Sequence, residues 1–492
     1  MIRSSAVRTS LGFVAVAIIC LCFADLEISA VNPWSELGRL ALGLVTPDFT
    51  AVDEIGTALL RTVAFALVGV ALGAAGGFGL ALLFHWRIVR VGCAFVRAIH
   101  ELFWALIFLQ CFGLHPLTGV LAIAIPYAGV FGKVYAEILD EQDPLPEQSL
   151  PPGTGRVAGF LFARIPDAWS HLVSYTSYRL ECGLRSSAIL GFVGMPTLGF
   201  HLESMFNEGL YSQVGALLIT FYVLIATLRL WVRPRVLPVY LLVAPFCLGT
   251  GLPIVWGNVG RFFTEDIVPA PLRSDGAGWD ALWPWLDQVL VQQALPGVGM
   301  TVVLTQIALV LTGVLALAAF PLISRHFTGR VGGTLGHVVL VIVRSTPEYI
   351  LAYILLQLWG PSMLPAVVAL ALHNGGIIGH LIGRHSNEIR LRPDAPSSRA
   401  ERYGYEILPR VYGPFLAFLF YRWEIIMRET AILGILGITT LGFYVDSAME
   451  ALRYDVAMVL ILVTAALNIG VDALARYLRR RLHLRTAPVC ES

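Results

Sequence analysis

The chain has 492 residues, of which 57% are hydrophobic and only 14% charged, and its mean hydropathy is +0.74. Soluble domains carry about 25% charged residues, so a soluble globular domain is excluded and the chain reads as an integral membrane protein. The net charge of +1 leaves no basic surplus for a nucleic-acid partner, and Lys133 is the single lysine among many arginines.

Spans are read as apolar runs of about 20 residues. After Arg3 and Arg8, the run Leu11 to Phe23 is apolar but short. It is either a signal-peptide core, with Ile28-Ser29-Ala30 as a poor cleavage site, or an uncleaved first span, which the charge distribution favours. Residues 25–57 are more polar, contain Trp34 and are expected outside or at the interface. Further spans are predicted near 62–84, 92–112, 117–136, 168–189 and 213–232. The same order returns near 236–256, 299–322, 335–359, 362–383, 412–433 and 456–475. A long Pro- and Trp-bearing segment, 257–297, follows the first of these. The expectation is an all-α membrane fold of about twelve spans, in two parallel halves of six.

Charge agrees with this count. With the N-terminus inside, predicted inner segments hold Arg87 and Arg90, Arg156 and Arg164, and Arg229, Arg233 and Arg235. In the second half they hold Arg325 and Arg330, a group from Arg384 to Arg402, and Arg476 to Arg481. The short predicted outer loops contain only Arg453. The positive-inside rule therefore puts both termini in the cytoplasm. Seven scattered cysteines show neither metal-site nor disulfide spacing and read as small buried hydrophobes.

The two halves are copies. Tyr178 to Phe200 returns as Tyr421 to Phe443 without a gap, at an offset of 243 (421 − 178), with 13 of 23 positions identical. The stretch Val96 to Gly113 aligns with Val343 to Gly360 at an offset of 247 (343 − 96), pairing Arg97 with Arg344, Glu101 with Glu348 and Gln110 with Gln357. The repeats are drawn as 1–235 and 236–492, with membrane cores at about 58–235 and 297–480. An even number of spans separates them, so the repeat is parallel and implies a pathway between like halves.

Charges inside spans are costly and by default mark function. Glu181 and Arg185, and Glu424 and Arg428, stand four apart, the favourable order for a helical pair. Arg97 with Glu101 and Arg344 with Glu348 share that spacing. Arg179 lies twelve residues beyond Asp167, about 18 Å along a helix, near mid-depth of a ~30 Å hydrocarbon core. Positions 175 and 183 are Tyr and Gly, and around Arg422 positions 418 and 426 are Phe and Ile, so neither arginine has an acid on its own helix face. Facing a pathway, their guanidinium forks suit phosphate or phosphonate oxygens. Paired to Glu181 or Glu101 across the bundle, they would only clamp helices.

Three glycines follow the charges in each copy: Gly191, Gly194 and Gly199, then Gly434, Gly437 and Gly442. They read either as a gate, where a helix breaks beside a cavity, or as close helix packing.

These residues carry a resemblance. Arg97 to Phe108, Gly129 to Glu137 and Tyr175 to Phe200 resemble the permease subunit of phosphonate ABC importers, over most of residues 50–235 and more weakly 295–480. The resemblance implies the type I importer fold, here with two permease copies fused. It further implies an extracytoplasmic solute-binding protein, two copies of a separate ATP-binding subunit, a phosphonate-like anion as cargo, and no cofactor. It also implies cytoplasmic coupling loops that dock on the ATPase. The corresponding runs are Asp143 to Gly155, with Glu147, Gly153 and Gly155, ending Ile165-Pro166, and Asp394 to Gly404, with Glu401, ending Ile407-Leu408-Pro409. Both lack the family's Ala-Ala core, and Pro151-Pro152 opposes a helix, so short or irregular coupling helices are expected.

No Gly-x-x-x-x-Gly-Lys-Ser/Thr run occurs, so ATP hydrolysis is expected on another subunit. No catalytic triad or zinc motif supports an enzyme. Three other readings stay open on sequence alone: the same fold serving another solute such as an amino acid, a secondary transporter of parallel six-span halves, and a non-transporting membrane scaffold.

Overall fold

A computed structural model describes residues 4–29, 32–50, 54–143, 145–151, 153–233, 235–273, 276 and 278–484. Every regular element among them is helical. Among the described residues five helices are long and apolar enough to cross a membrane: Ile55–Leu82, Pro116–Asp140, Trp279–Leu322, Met363–Glu388 and Tyr454–Arg481. The third starts well before residue 299, so much of the expected 257–297 segment is a helical extension of the span.

Two expected spans are corrected by the structure. Residues 92–112 are not one rod: Arg87–Ala98 and Glu101–Phe112 meet at 90°. Its copy does the same, with Arg330–Ser345 and Glu348–Trp359 at 89°. The breaks have local causes. His100 is extended and its Nδ1 accepts a hydrogen bond from Leu102 N, capping the second helix. In the copy Pro347 stands at that place and its missing N–H stops the helix before it. Counting each bent pair as one span gives seven.

The chain forms two compact units, Arg39–Glu265 and Met1–Gly38 with Asp266–Ser492. Their boundaries differ from those of the sequence repeat. In the contiguous unit, Ile55–Leu82 packs along Pro116–Asp140. Gly69, Gly73 and Gly77, one per turn, let the helices meet: a Cβ on Gly69 would lie 2.8 Å from Ile123 Cβ, and one on Gly73 2.8 Å from Tyr127 Cβ. Leu237–Cys247, the first apolar helix of the second repeat, also packs on Ile55–Leu82 in this unit.

The other unit uses the same arrangement with the glycines on the opposite helix. Gly375, Gly379 and Gly383 of Met363–Glu388 face Leu295–Ala319 and Phe320. Its first helix is the N-terminal Ser4–Leu21. Gln306 Nε2 donates to Phe13 O at 3.0 Å, Tyr412 Oη donates to Ser10 Oγ at 2.7 Å, and the Phe13 ring lies 5.0 Å from that of Trp423.

A recurring irregularity has a simple origin. Pro166, Pro296 and Pro409 each stand just inside a helix, and a π-turn precedes each: Phe160–Arg164, Leu290–Ala294 and Arg402–Ile407. Proline cannot donate to the carbonyl four residues back and its ring crowds it. A wider turn relieves that clash without ending the helix.

Candidate functional site: a duplicated charge cluster and hairpin turn

Each unit carries its charges on one long helix, Ile165–Ile189 or Leu408–Ile435. In the first, Arg185 Nη2 donates to Glu181 Oε1 at 3.2 Å, the pair expected from spacing. Arg179 is different. Its Cζ stands 4.3 Å from the centroid of the Tyr127 ring, which is 2% exposed. Tyr175 and Tyr178 stand within one turn of it on the same helix. Arg179 Nε is buried without a hydrogen-bond partner. A guanidinium stacked on an aromatic face keeps its cation and its donor edge. Among the described residues neither Arg179 nor Arg422 takes part in an ion pair. Position 374, the counterpart of Tyr127 at the 247 offset, is Asn, so Arg422 has no ring there.

Arg97 with Glu101, and Arg344 with Glu348, are not pairs along one helix; each pair straddles a right-angle break. Arg97 and Arg344 end their helices, and Glu101 and Glu348 open the next. Base at a C-terminus and acid at an N-terminus each complement the local helix dipole. Glu101 Oε1 accepts from Ser186 Oγ at 2.7 Å, and Tyr127 Oη is 3.2 Å from Ser186 Oγ. Glu348 lies instead with His373, whose Nε2 is 3.7 Å from Glu348 Oε2, and with Glu429. Glu424 and Arg428 are half-buried one turn apart on Leu408–Ile435.

The glycines build a hairpin turn. Gly194 has φ +87° and Gly437 has φ +85°, the left-handed conformation that ends a helix. Gly194 N donates to Gly191 O and Met195 N to Leu190 O, and Gly437 and Ile438 repeat both bonds. The chain then folds back as the short helices Leu198–Asn207 and Leu441–Glu450. The return passes so close that a Cβ on Gly191 would lie 2.5 Å from Gly199 C, and one on Gly434 2.5 Å from Gly442 Cα. Gly199 and Gly442 are equally tight against the carbonyls of Ala188 and Ala431.

Two features of this turn escaped the sequence reading. Thr62 Oγ1 accepts from Leu198 N at 2.9 Å, and Thr301 Oγ1 from Leu441 N at 3.0 Å, each capping a return helix from a neighbouring span. Their offset of 239 (301 − 62) matches neither repeat offset. On the return helices Glu203 and Asp446 occupy equivalent positions at the 243 offset, a signal available in the sequence. Burial raises the Glu203 carboxyl, and burial with the nearby Glu450 charge pushes Asp446 up to about 6.

At the predicted coupling loops Leu145–Gln148 is a separate short helix, whereas Arg156–Gly159 and Arg399–Glu401 run on through the π-turns into Ile165–Ile189 and Leu408–Ile435. The Glu147 side chain and all of Pro152 fall outside the described residues. Gly153 takes φ +95°, while Gly155 and Gly404 have open space around them. Pro166 and Pro409 follow the π-turns, and Glu401 is exposed. The anchors are residues the sequence did not single out. Arg164 donates to Leu139 O at 2.9 Å and Asp140 Oδ1 at 3.1 Å, and buried Glu406 accepts from Arg410 Nη2 at 3.0 Å. The π-turns Phe160–Arg164 and Arg402–Ile407 each present an exposed aromatic, Phe162 (79%) and Tyr405 (80%), at the 243 offset.

An all-helical membrane chain with this site in duplicate has the makings of a transport permease. Residues 397–484 match the family described as binding-protein-dependent transport system inner membrane component. The chain is 25% identical over 476 residues to the phosphate-import permease protein PhnE of Mycolicibacterium smegmatis, covering 89% of this chain and 88% of that protein. It is 27% identical over 231 residues to the phosphite transport system permease protein PtxC of Stutzerimonas stutzeri, covering 44% of this chain and 83% of that one. No solved structure matches. The chain is a homologue of the permeases of phosphonate-type ABC importers, as the resemblance implied. It is a transport subunit rather than an enzyme.

Proposed function

We propose that this chain is the fused transmembrane permease of an ABC importer for phosphonate, phosphate or phosphite. The observation that carries the anion is Arg179: a guanidinium stacked on the Tyr127 ring, outside any ion pair, with an arginine at the equivalent position 422 of the second copy, also outside any ion pair among the described residues though without the ring. An oxyanion offers the acceptors such a group lacks. The names of the relatives support phosphorus oxyanions over an amino acid. The match to PtxC, most of whose length is covered by less than half of this chain, supports two permease copies in tandem.

In this reading the chain crosses a bacterial inner membrane twelve times with both termini in the cytoplasm. To the seven spans are added the charge-bearing Ile165–Ile189 and Leu408–Ile435 and the shorter apolar Ser5–Leu21, Tyr211–Ala226 and Leu237–Cys247. Two copies of an ATP-binding subunit engage the loops around Glu147, Gly153, Gly155 and Pro166 and around Glu401, Gly404 and Pro409. A solute-binding protein delivers the anion outside. ATP-driven closure of the ATPase pair drives alternating access. Arg179, Glu181, Arg185, Arg97 and Glu101, with Arg422, Glu424, Arg428, Arg344 and Glu348, line or brace the pathway. Gly191, Gly194 and Gly199, with Gly434, Gly437 and Gly442, form the gate.

The test replaces Arg179 and Arg422 by Ala together and measures uptake of radiolabelled phosphonate, phosphate and phosphite in cells supplying the ATPase and binding protein. Uptake is expected to vanish while membrane insertion is retained. Unchanged uptake by the double variant would sink the assignment of these arginines to the anion.

A further inference from the structure

We propose that the unit built from Met1–Gly38 and Asp266–Ser492 holds a divalent transition-metal ion between Glu348, His373 and Glu429. Their ligand atoms all lie within 4.8 Å of one another, and the residues are 8%, 2% and 7% exposed. Each comes from a different helix, Glu348–Trp359, Met363–Glu388 or Leu408–Ile435.

The imidazole is held in a ligand's orientation. His373 Nδ1 lies 2.8 Å from Thr346 O. A carbonyl only accepts, so Nδ1 carries a proton, and Nε2 is the nitrogen that faces the carboxylates, where the neutral form of the ring offers a lone pair to an ion. Outer hydrogen bonds of this kind fix the tautomer of metal-bound histidines. Nε2 is 3.7 Å from Glu348 Oε2, too far for a hydrogen bond. Two atoms each about 2.1 Å from one ion stand roughly 3.4–4.2 Å apart, so the pair already has the spacing and the widest separation closes with a small rotamer change. Glu429 is steadied likewise: Asn374, fully buried, donates from Nδ2 to Glu429 Oε2 at 3.0 Å and to Leu370 O at 3.0 Å. Asn374 Oδ1 is buried with no hydrogen-bond partner, and an ion-bound water is a donor of the kind it lacks.

The other unit supplies an internal comparison. There Ser186 replaces Glu429 (429 − 243), Pro126 replaces His373 and Tyr127 replaces Asn374 (373 and 374 − 247). One carboxylate, Glu101, is satisfied by the Ser186 hydroxyl at 2.7 Å. The same frame thus carries a hydroxyl network in one copy and two carboxylates with an imidazole in the other. Two carboxylates and a neutral imidazole suit a divalent ion, and oxygen and imidazole donors without thiolate favour the zinc and manganese class.

The test uses the purified full chain in detergent, stripped with EDTA, loaded with Zn²⁺ or Mn²⁺ alone, desalted and assayed for metal by mass spectrometry, with thermal stability followed in parallel. Wild type is expected to keep one ion per chain and to melt higher with metal. His373→Gln, Glu429→Gln and Glu429→Ser are expected to lose at least about tenfold in affinity, as ligand and outer-sphere changes do, and to lose the metal-induced rise in melting. Wild type that retains neither ion overturns the proposal whatever the variants do, leaving an ordinary imidazole–carboxylate pair. Full retention by the two glutamine variants puts any ion elsewhere and also overturns it.

Discussion

Alanine at Gly191 is the sharpest probe of the hairpin turn. The added Cβ would lie 2.5 Å from Gly199 C, with Phe200 N nearer still, and contacts under 3.0 Å force something to move. Even the more distant of these atoms must retreat by at least 0.5 Å (3.0 − 2.5). Both neighbours are backbone, so no side-chain rotation relieves the clash, and the return helix must shift off the helix it folds against. Overpacking of this kind costs about 1–3 kcal/mol, and a backbone obstacle puts Gly191→Ala near 3 kcal/mol. For a unit of this size that is a drop of roughly 6–12 °C in melting temperature. Gly404→Ala is the control, because nothing lies within 4 Å of its Cβ and its φ is ordinary. The assay is tryptophan fluorescence of the purified chain on heating, beside uptake in cells. Gly191→Ala melting together with Gly404→Ala would refute the close-approach argument. Lost uptake without lost stability would instead favour the gate.

The coupling loops and the return helices give two more tests. Phe162→Ala with Tyr405→Ala should weaken capture of the ATP-binding subunit at least about tenfold, the scale of a buried aromatic anchor; undiminished co-purification would remove these rings from the interface. Asp446 binds its proton more tightly folded than unfolded. The stability it contributes is therefore complete below its ordinary value of 3.8 and is lost as pH rises through about 6. Asp446→Asn should flatten the melting profile across that window, and a variant that keeps the wild-type slope there would contradict the assignment.

The repeat was legible because its residues are unusual for a membrane: Arg179, Glu181 and Arg185 stand out among leucines, and copies at a fixed offset need no structural knowledge to be seen. The Glu181–Arg185 pair followed from helical spacing alone. The right-angle breaks were less legible. Hydropathy measures burial in lipid and is blind to direction, so 92–112 looks like one rod although His100 caps a second helix within it. In the copy, Thr346-Pro347-Glu348 carried a readable stop signal. The Glu348, His373 and Glu429 cluster had no signature, since its members are 25 (373 − 348) and 56 (429 − 373) residues apart on three helices. Only packing brings them together. Thr62 and Thr301 were hidden for a related reason: loops of different length shift their offset away from that of the helices they cap.

The first helix of the chain packs with residues made much later, and this sets an order of assembly. Arg39–Glu265 is contiguous and can close as soon as it has been synthesised. Ser10, by contrast, bonds to Tyr412 across 402 residues. At about 5–20 residues per second, that partner arrives roughly 20–80 s after the helix has left the ribosome. Until then the face of Ser4–Leu21 that will meet Tyr412 and Trp423 lacks those partners, Gln306 being made first. The packing of Ser4–Leu21 is thus completed by Leu408–Ile435, a helix made late in the chain.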